Sequence, residues 1–376
     1  MTTSVTPLPA EGNATVPVPH DRLHTALTGL FTRHGLPHAR AALAAHALCH
    51  GDLTGHESHG VFNLTRLYLP LLTSGRCDPR AEPRTRTDLG ACALVDAGRA
   101  LGLWAAAEAM DDAVERAGRH GVGLVSVRDA THFGCAGFHA LRAAEAGMIG
   151  VVMSNCGGQR IVRPPGGALA MLGTNPLSVA APALEGHPFL LDMSTTVAPS
   201  GRVRLAAQRG RPVPAGWLED AAGNPVTDPA GFDDGAAFLR WLGGTPDDGV
   251  HKGYGLGLAV ELLAAVVSGA AVGPAPAALE GDGGPHGRDD DIGFLLLAVA
   301  PGALRPGADI AAETASLFGT LAACPPTADR PPVRYPGWHE AERAALRRRT
   351  GIPMAAPLHA ELAALGLLPT ATGDAL

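Results

Sequence analysis

Six short segments of this chain carry side chains able to do chemistry. Thr131-His132-Phe133-Gly134 lies between a strand-like and a helix-like stretch. An imidazole there, near the positive end of a helix dipole, is favoured in its neutral form and can accept a proton near neutral pH. His132 is thus a candidate general base, although a histidine taken alone is more often a packed one. In Glu57-Ser58-His59-Gly60, His50 and His56 lie close by, but the spacing matches neither HExxH nor HxxEH and no carboxylate cluster completes a metal site. No metal is expected. Adjacent Ser58 and His59 do not face each other as a nucleophile and its base, and no GxSxG elbow exists, so hydrolysis is set aside. A substrate-facing His59 remains.

Asn155-Cys156-Gly157-Gly158 and Gly173-Thr174-Asn175-Pro176 are glycine-bearing loops that let backbone N–H groups approach an anion, as ordinary turns also do. Leu191-Asp192-Met193-Ser194 ends an apolar run on a carboxylate, which can orient a ribose or a histidine, or simply cap the next turn. The last segment is His251-Lys252-Gly253-Tyr254-Gly255-Leu256-Gly257. Its glycines alternate and no strand precedes it, so it is not the GxGxxG of a Rossmann domain, nor does any other segment supply that fingerprint. A lysine at a helix N-terminus is nonetheless a good anion site. Lys252 is also the single lysine among 29 basic residues. Where composition favours arginine for any plain positive charge, a retained lysine marks a place that needs a compact ammonium, chance being the alternative.

The elements that must position these residues follow from periodicity. Asp21 to Arg33, Ala39 to Cys49 and Thr54 to Gly75 have helical spacing, and Pro79 to Thr87 reads as a connector. Ala91 to Ala97, Gly123 to Val127, Ile149 to Ser154, Leu177 to Ala181, Phe189 to Asp192 and Ile292 to Val299 read as strands. Helices are expected from the turn at Gly98–Leu103 to Ala117, from Gly134 to Ala146, over Val203–Arg209 and over Gly255–Ser268. Trp217 to Pro229 and Glu280 to Asp291 read as loops, the latter mobile. Asp309–Ala323, Trp338–Arg349 and Leu358–Leu365 return to helical spacing. The fold class is α/β (α+β), a large mixed sheet flanked by helices. Residues 1–18 are a disordered lead-in, 19–80 an N-terminal helical lobe, 81–307 the core that binds cofactor and substrate, and 308–376 helices that pack on the N-terminal lobe.

Composition narrows the function classes. With 46% apolar and 17% charged residues, 49 glycines and 32 prolines, the chain is globular and turn-rich. A net charge of −7 and the lack of a basic stripe argue against nucleic acid. No apolar run is long enough for a membrane span, and Met1 to Val18 lacks the features of a signal peptide, so a cytoplasmic location is expected. Six scattered cysteines without a CxxC pair read as free thiols.

In order, Ser58-His59-Gly60, Thr131-His132-Phe133-Gly134, Gly173-Thr174-Asn175-Pro176, Asp192-Met193-Ser194-Thr195 and Lys252-Gly253-Tyr254-Gly255 resemble the malate/L-lactate dehydrogenase family, which includes ureidoglycolate and sulfolactate dehydrogenases and piperideine-2-carboxylate reductase. The likeness spans about residues 20 to 365. It implies a non-Rossmann NAD(P) fold, a homodimer, and hydride transfer between NAD or NADP and a small 2-hydroxy or 2-oxo acid. The alternatives are an NADPH-dependent cyclic-imine reductase and a redox-inactive nucleotide-binding member. By the same resemblance, His132 is the proton-transferring histidine and His59 a second catalytic group. Ser58, His59, Asn63, Arg66, Thr174 and Asn175 line the substrate pocket, while Cys156, Asp192, Met193, Ser194, Lys252, Gly253 and Tyr254 contact the cofactor. Two positions depart from the pattern: Asn63 and Leu67 stand where the family commonly has arginine and tyrosine. Arginine grips a carboxylate through two parallel bonds and asparagine cannot. Gly201-Arg202 stands for the family's Gly-Lys.

Overall fold

Ile292–Val299 is apolar at nearly every position, which suits a strand covered on both faces. In the computed structural model, which describes residues 15–280 and 287–370, it is the middle strand of a seven-stranded mixed sheet. In chain order the strands are β1 (Thr15–Val18), β2 (Arg84–Asp88), β3 (Cys92–Ala100), β4 (Val122–Ala130), β5 (Ile149–Ser154), β6 (Leu177–Leu184) and β7 (His187–Met193). There follow β8 (Leu218–Glu219), β9 (Pro225–Val226), β10 (Phe238–Leu239), β11 (Ile292–Val299) and β12 (Ile352–Ala355). The large sheet has the order β2-β3-β4-β11-β5-β6-β7. Only β3 and β4 pair in parallel; β11 runs antiparallel to both its neighbours.

The helices are α1 (His20–Arg33), α2 (His38–Thr54), α3 (Leu69–Thr73), α4 (Gly102–His120), α5 (Ala136–Glu145) and α6 (Ser200–Gln208). Beyond them come α7 (Val250–Val260), α8 (Pro301–Leu304), α9 (Ile310–Ala322), α10 (Trp338–Thr350) and α11 (Ala356–Ala364). Ile292, Phe294, Leu296 and Ala298 join the main core with Leu103, Trp104, Met110, Ala136 and Ala140 of α4 and α5. Strand alternation turns Gly293 the other way, and there it takes the backbone of Ala264, in the π turn Glu261–Val266 that continues α7. That continuation leaves Leu262, Leu263, Val266 and Val267 exposed.

Several expectations are corrected. Part of the lead-in is ordered: β1 pairs antiparallel with β12, joining the two ends of the described chain, while residues 1–14 lie outside the described residues. The supposed connector after Pro79 contains β2, an edge strand exposed throughout, whose lack of an apolar face hid it from a periodicity reading. Trp217 to Pro229 contains the pair β8 and β9, which with β10 forms a small sheet over a second core of Ile161, Leu172, Val203, Phe232 and Trp241. The expected helix over Thr54 to Gly75 breaks into a 3-10 turn at Glu57–His59, a π turn at Leu64–Tyr68, and α3. The helix expected from Gly255 starts earlier, at Val250. In the C-terminal segment, α10 packs on α2, but α9 packs on β6 instead. Of the loop expected over Glu280 to Asp291, residues 281–286 lie outside the described residues. No helix among the described residues is long and apolar enough to cross a membrane.

Candidate active site

His132 sits in the loop between β4 and α5, and α4 fixes that loop from below. Gly102, the first residue of α4, donates its N–H to Thr131 Oγ1 at 3.0 Å, and Thr131 Oγ1 donates to Ala100 O at 3.2 Å. A Cβ on Gly102 would lie 2.0 Å from Thr131 O, so only glycine permits this approach. His132 Nδ1 lies 2.9 Å from Tyr68 Oη and receives the Gly134 N–H at 3.2 Å. The His59 ring lies roughly parallel to it, with centroids 6.0 Å apart, and Ser58 Oγ holds His59 Nδ1 at 3.0 Å.

Both imidazoles are half-buried by surface area and enclosed by protein. Burial pushes His132 down to about 4, against the opposing pull of the Asp289 carboxylate and with a smaller push from Arg66. Burial and then the neighbouring His132 push His59 down to about 3. Both are therefore neutral near pH 7. This corrects the helix-dipole explanation of His132's neutrality. The helix begins four residues later, at Ala136, and the N–H of Gly137 in its first turn is taken by Asp192 Oδ2 at 2.8 Å. Desolvation does the work instead.

Tyr68 was not among the residues singled out from sequence. It is fully buried, and it reaches His132 because residues 64–68 form a π turn, with Leu69 N–H bonding Leu64 O. A π turn holds one residue more than an α turn. Tyr68, one position after Leu67, is thereby the side chain that meets His132. The signal was present in the sequence as Tyr68, but counting along an unbroken helix points to the wrong residue.

The other sequence candidates fall into three groups. Asn63 is buried beside Ser58, its Nδ2 donating to Ser58 O at 2.8 Å, and Arg66 bonds to its Oδ1. Ser58, His59, Asn63, Arg66 and His132 are thereby brought together with Tyr68. Cys156 Sγ lies 3.8 Å from Thr174 Oγ1, while the Asn175 amide is fully buried and donates to Gly257 O at 3.0 Å and to Glu261 Oε2 at 2.7 Å. Asn175 thus ties its loop to α7, and its side chain does not reach an open surface. Glu261 also receives Asn155 Nδ2 at 3.3 Å and Gly273 N–H at 2.9 Å, making a buried junction that no sequence motif announced.

In the third group, Asp192 and Met193 end β7, and Ser194 Oγ donates to Thr196 O at 3.0 Å. The same segment meets the start of α7 through Leu242, whose N–H bonds Thr195 O and whose O accepts Gly253 N–H. Tyr254 packs edge-on against Trp241, with centroids 5.6 Å apart. Lys252 is exposed in the first turn of α7, which has no side-chain cap. Among the described residues its ammonium makes no ion pair. Arg202, at the family's lysine position, stacks over Trp217 with its guanidinium carbon 4.7 Å from the ring centre. No cluster of three or more His, Cys, Asp or Glu among the described residues is placed to hold a metal ion.

Two neutral imidazoles with ring centroids 6.0 Å apart, each held at Nδ1 so that Nε2 is left for exchange, define an acid–base site suited to chemistry at a hydroxyl or carbonyl carbon. A family profile described as malate/L-lactate dehydrogenase matches residues 18–363, and the chain belongs to that family of hydroxy-acid oxidoreductases. It is 39% identical over 253 residues to the malate dehydrogenase of Pyrococcus horikoshii, covering 67% of this chain and 69% of that one. It is 32% identical over 287 residues to a Delta(1)-pyrroline-2-carboxylate/Delta(1)-piperideine-2-carboxylate reductase of Pseudomonas putida, covering 76% and 80%. The crystal structure of malate dehydrogenase from Entamoeba histolytica superposes with a TM-score of 0.86 at 26% identity, covering 94% of this chain and 97% of that one.

Proposed function

We propose that this chain moves a hydride between NAD or NADP and C2 of a small 2-hydroxy or 2-oxo acid, with His132 exchanging the hydroxyl proton. The observation that carries the reading is the His132–Tyr68 contact. With the Nδ1 proton directed to Tyr68 Oη, the bare Nε2 takes the substrate hydroxyl proton during oxidation. In reduction the imidazolium returns a proton from Nε2 and reverts to the same tautomer. The Gly134 N–H favours the opposite tautomer, in which Nε2 is already protonated, and the working tautomer is the one in which the Tyr68 hydroxyl accepts the Nδ1 proton. His59, kept neutral and fixed by Ser58, adds a polar group beside the reacting carbon without adding charge.

The chain's residues fit a dinucleotide. When bound, the nicotinamide supplies the two-electron acceptor or donor that no side chain here provides. An exposed lysine in the first turn of α7, without an ion pair among the described residues, suits a phosphate, and Asp192, Met193, Ser194, Gly253 and Tyr254 lie on the segments joined there; Cys156 is assigned to the same contact set. The test is a panel of 2-oxo acids and cyclic imino acids with NADH and NADPH, plus the matching hydroxy acids with the oxidised cofactors. Consumption of NAD(P)H with a 2-oxo acid supports the reading. Turnover of cyclic imines alone moves the chain to the reductases, and nucleotide binding without any turnover identifies a redox-inactive member. In the same assay Lys252→Arg weakens NAD(P)H binding roughly 10-fold, the loss expected for one misplaced charged contact. Unchanged binding makes the lone lysine an accident of composition.

The homodimer is part of the proposal. Leu262 and Val266, 58% and 59% exposed on consecutive turns, present an apolar surface suited to a second copy. Replacing both by glutamate gives a monomer in sedimentation velocity; a dimer unchanged by the pair places the interface elsewhere.

A further inference from the structure

Asn63 has both polar atoms committed. Its Nδ2 is anchored on Ser58 O at 2.8 Å, and its Oδ1 receives Arg66 Nε at 3.2 Å and Arg66 Nη2 at 2.8 Å. One oxygen therefore occupies the side-on edge of the guanidinium. The end-on edge, Nη1–H with the second Nη2–H, has no described acceptor and is spaced to meet both oxygens of a carboxylate.

The charge balance points the same way. The acids close enough to act on Arg66 are Asp233 and Asp289. Asp233 already pairs with Arg204 at 2.8 Å, and Asp289 with Arg76 at 2.8 Å. Arg66 instead meets a neutral amide, so its positive charge stays uncompensated while its direction is fixed. Its charge is felt at His132, and the Tyr68 two residues along bonds that same imidazole.

We propose that Arg66, aimed by Asn63, holds the carboxylate of the 2-oxo or 2-hydroxy acid end-on beside His132. Asn63 is a positioning residue: it takes over the place of an arginine and turns the next arginine into the grip. The inference rests on the 2-oxo acid reading above and deepens it. It selects substrates whose carboxylate is adjacent to the reacting carbon, and it disfavours their uncharged amides.

The test uses the full chain with NADH and titrates oxamate, a 2-oxo acid isostere that is not reduced, by calorimetry. Arg66→Met, at an exposed position, weakens oxamate binding roughly 10- to 100-fold, as for losing hydrogen bonds to a charged group. Asn63→Leu weakens it by a similar factor alone and adds nothing in the Arg66→Met background, the non-additivity expected of a residue acting through another. In steady-state assays both variants raise KM for pyruvate more than for pyruvamide. Failure of oxamate to bind the parent, unchanged binding in Arg66→Met, or additive effects of the two changes overturns the proposal. Oxamate binding that depends on Arg66, without turnover of any 2-oxo acid, supports the carboxylate grip while rejecting hydride transfer. Turnover with binding indifferent to Arg66 does the reverse.

Discussion

His132→Ala lowers kcat by ~100-fold or more in both directions, the loss typical of removing a positioned general acid–base, and leaves NAD(P)H binding nearly intact. The reason is local. His132 is the ring tied to Tyr68 Oη at 2.9 Å and to Gly134 N–H at 3.2 Å, both at Nδ1, which fixes the direction of its Nε2. The parent's rate of hydroxy-acid oxidation is flat around neutral pH and falls on an acid limb near pH 4, where burial has set the His132 protonation. In the alanine variant that limb disappears along with most of the rate. Tyr68→Phe gives a smaller loss in the same direction, because the Gly134 N–H alone then sets the tautomer. Single-turnover rates over a pH series distinguish these outcomes, and parent-like turnover in His132→Ala ends the assignment.

The sequence made the large sheet legible where burial imposes a pattern. The run Ile292–Val299 and the strands Ile149–Ser154 and Leu177–Leu184 announce themselves, because each has at least one face against the core. It was silent where pattern and structure part company. β2 is exposed along its whole length and gives no alternation to read, and β8 and β9 are two residues each, shorter than any periodicity can register. The small second core is assembled from residues 161 to 241, so no local window contains it.

The site was legible in its motifs and incomplete in its register. His59 and His132 are more than seventy residues apart, and only the fold stacks their rings. Sequence spacing at Asn63 and Leu67 suggested that two functional side chains were lost. The π turn at Leu64–Tyr68 changes that picture, because it brings Tyr68 rather than Leu67 to His132, while Asn63 accepts from the arginine three residues on. Such a turn depends on tertiary packing around buried Leu64 and Tyr68, and that packing cannot be counted off a linear motif.

The same burial that keeps the site neutral makes the protein acid-sensitive, and the expected effect on stability is large. Burial pushes His50 and His59 down to about 3, and His132 and His139 down to about 4. In the unfolded chain each titrates near 6.5. Above that value neither state holds these protons, and the neutral imidazoles cost nothing. As pH falls below about 6.5 the unfolded chain binds protons that the folded one refuses, and stability drops until the folded values near 3 to 4 are reached. Asp52 opposes this by one proton: burial raises it to about 7, so the folded state keeps a proton that the unfolded chain loses. Asp192, Asp129 and Asp291, also raised by burial, oppose it further, and His46, lowered by burial, adds to it. Near pH 5 the balance is about two to three protons, or roughly 2 to 4 kcal/mol per pH unit once the partial exposure of His50, His59 and His132 is allowed for. Denaturant unfolding at pH 7.5, 6 and 5 should therefore show a midpoint that falls ever more steeply. His139→Gln, which can keep an N–H on Phe133 O, removes one of the four protons and flattens the slope. A midpoint independent of pH across this range means that the imidazoles are solvated in the folded protein, and the desolvation account of His132 falls with it.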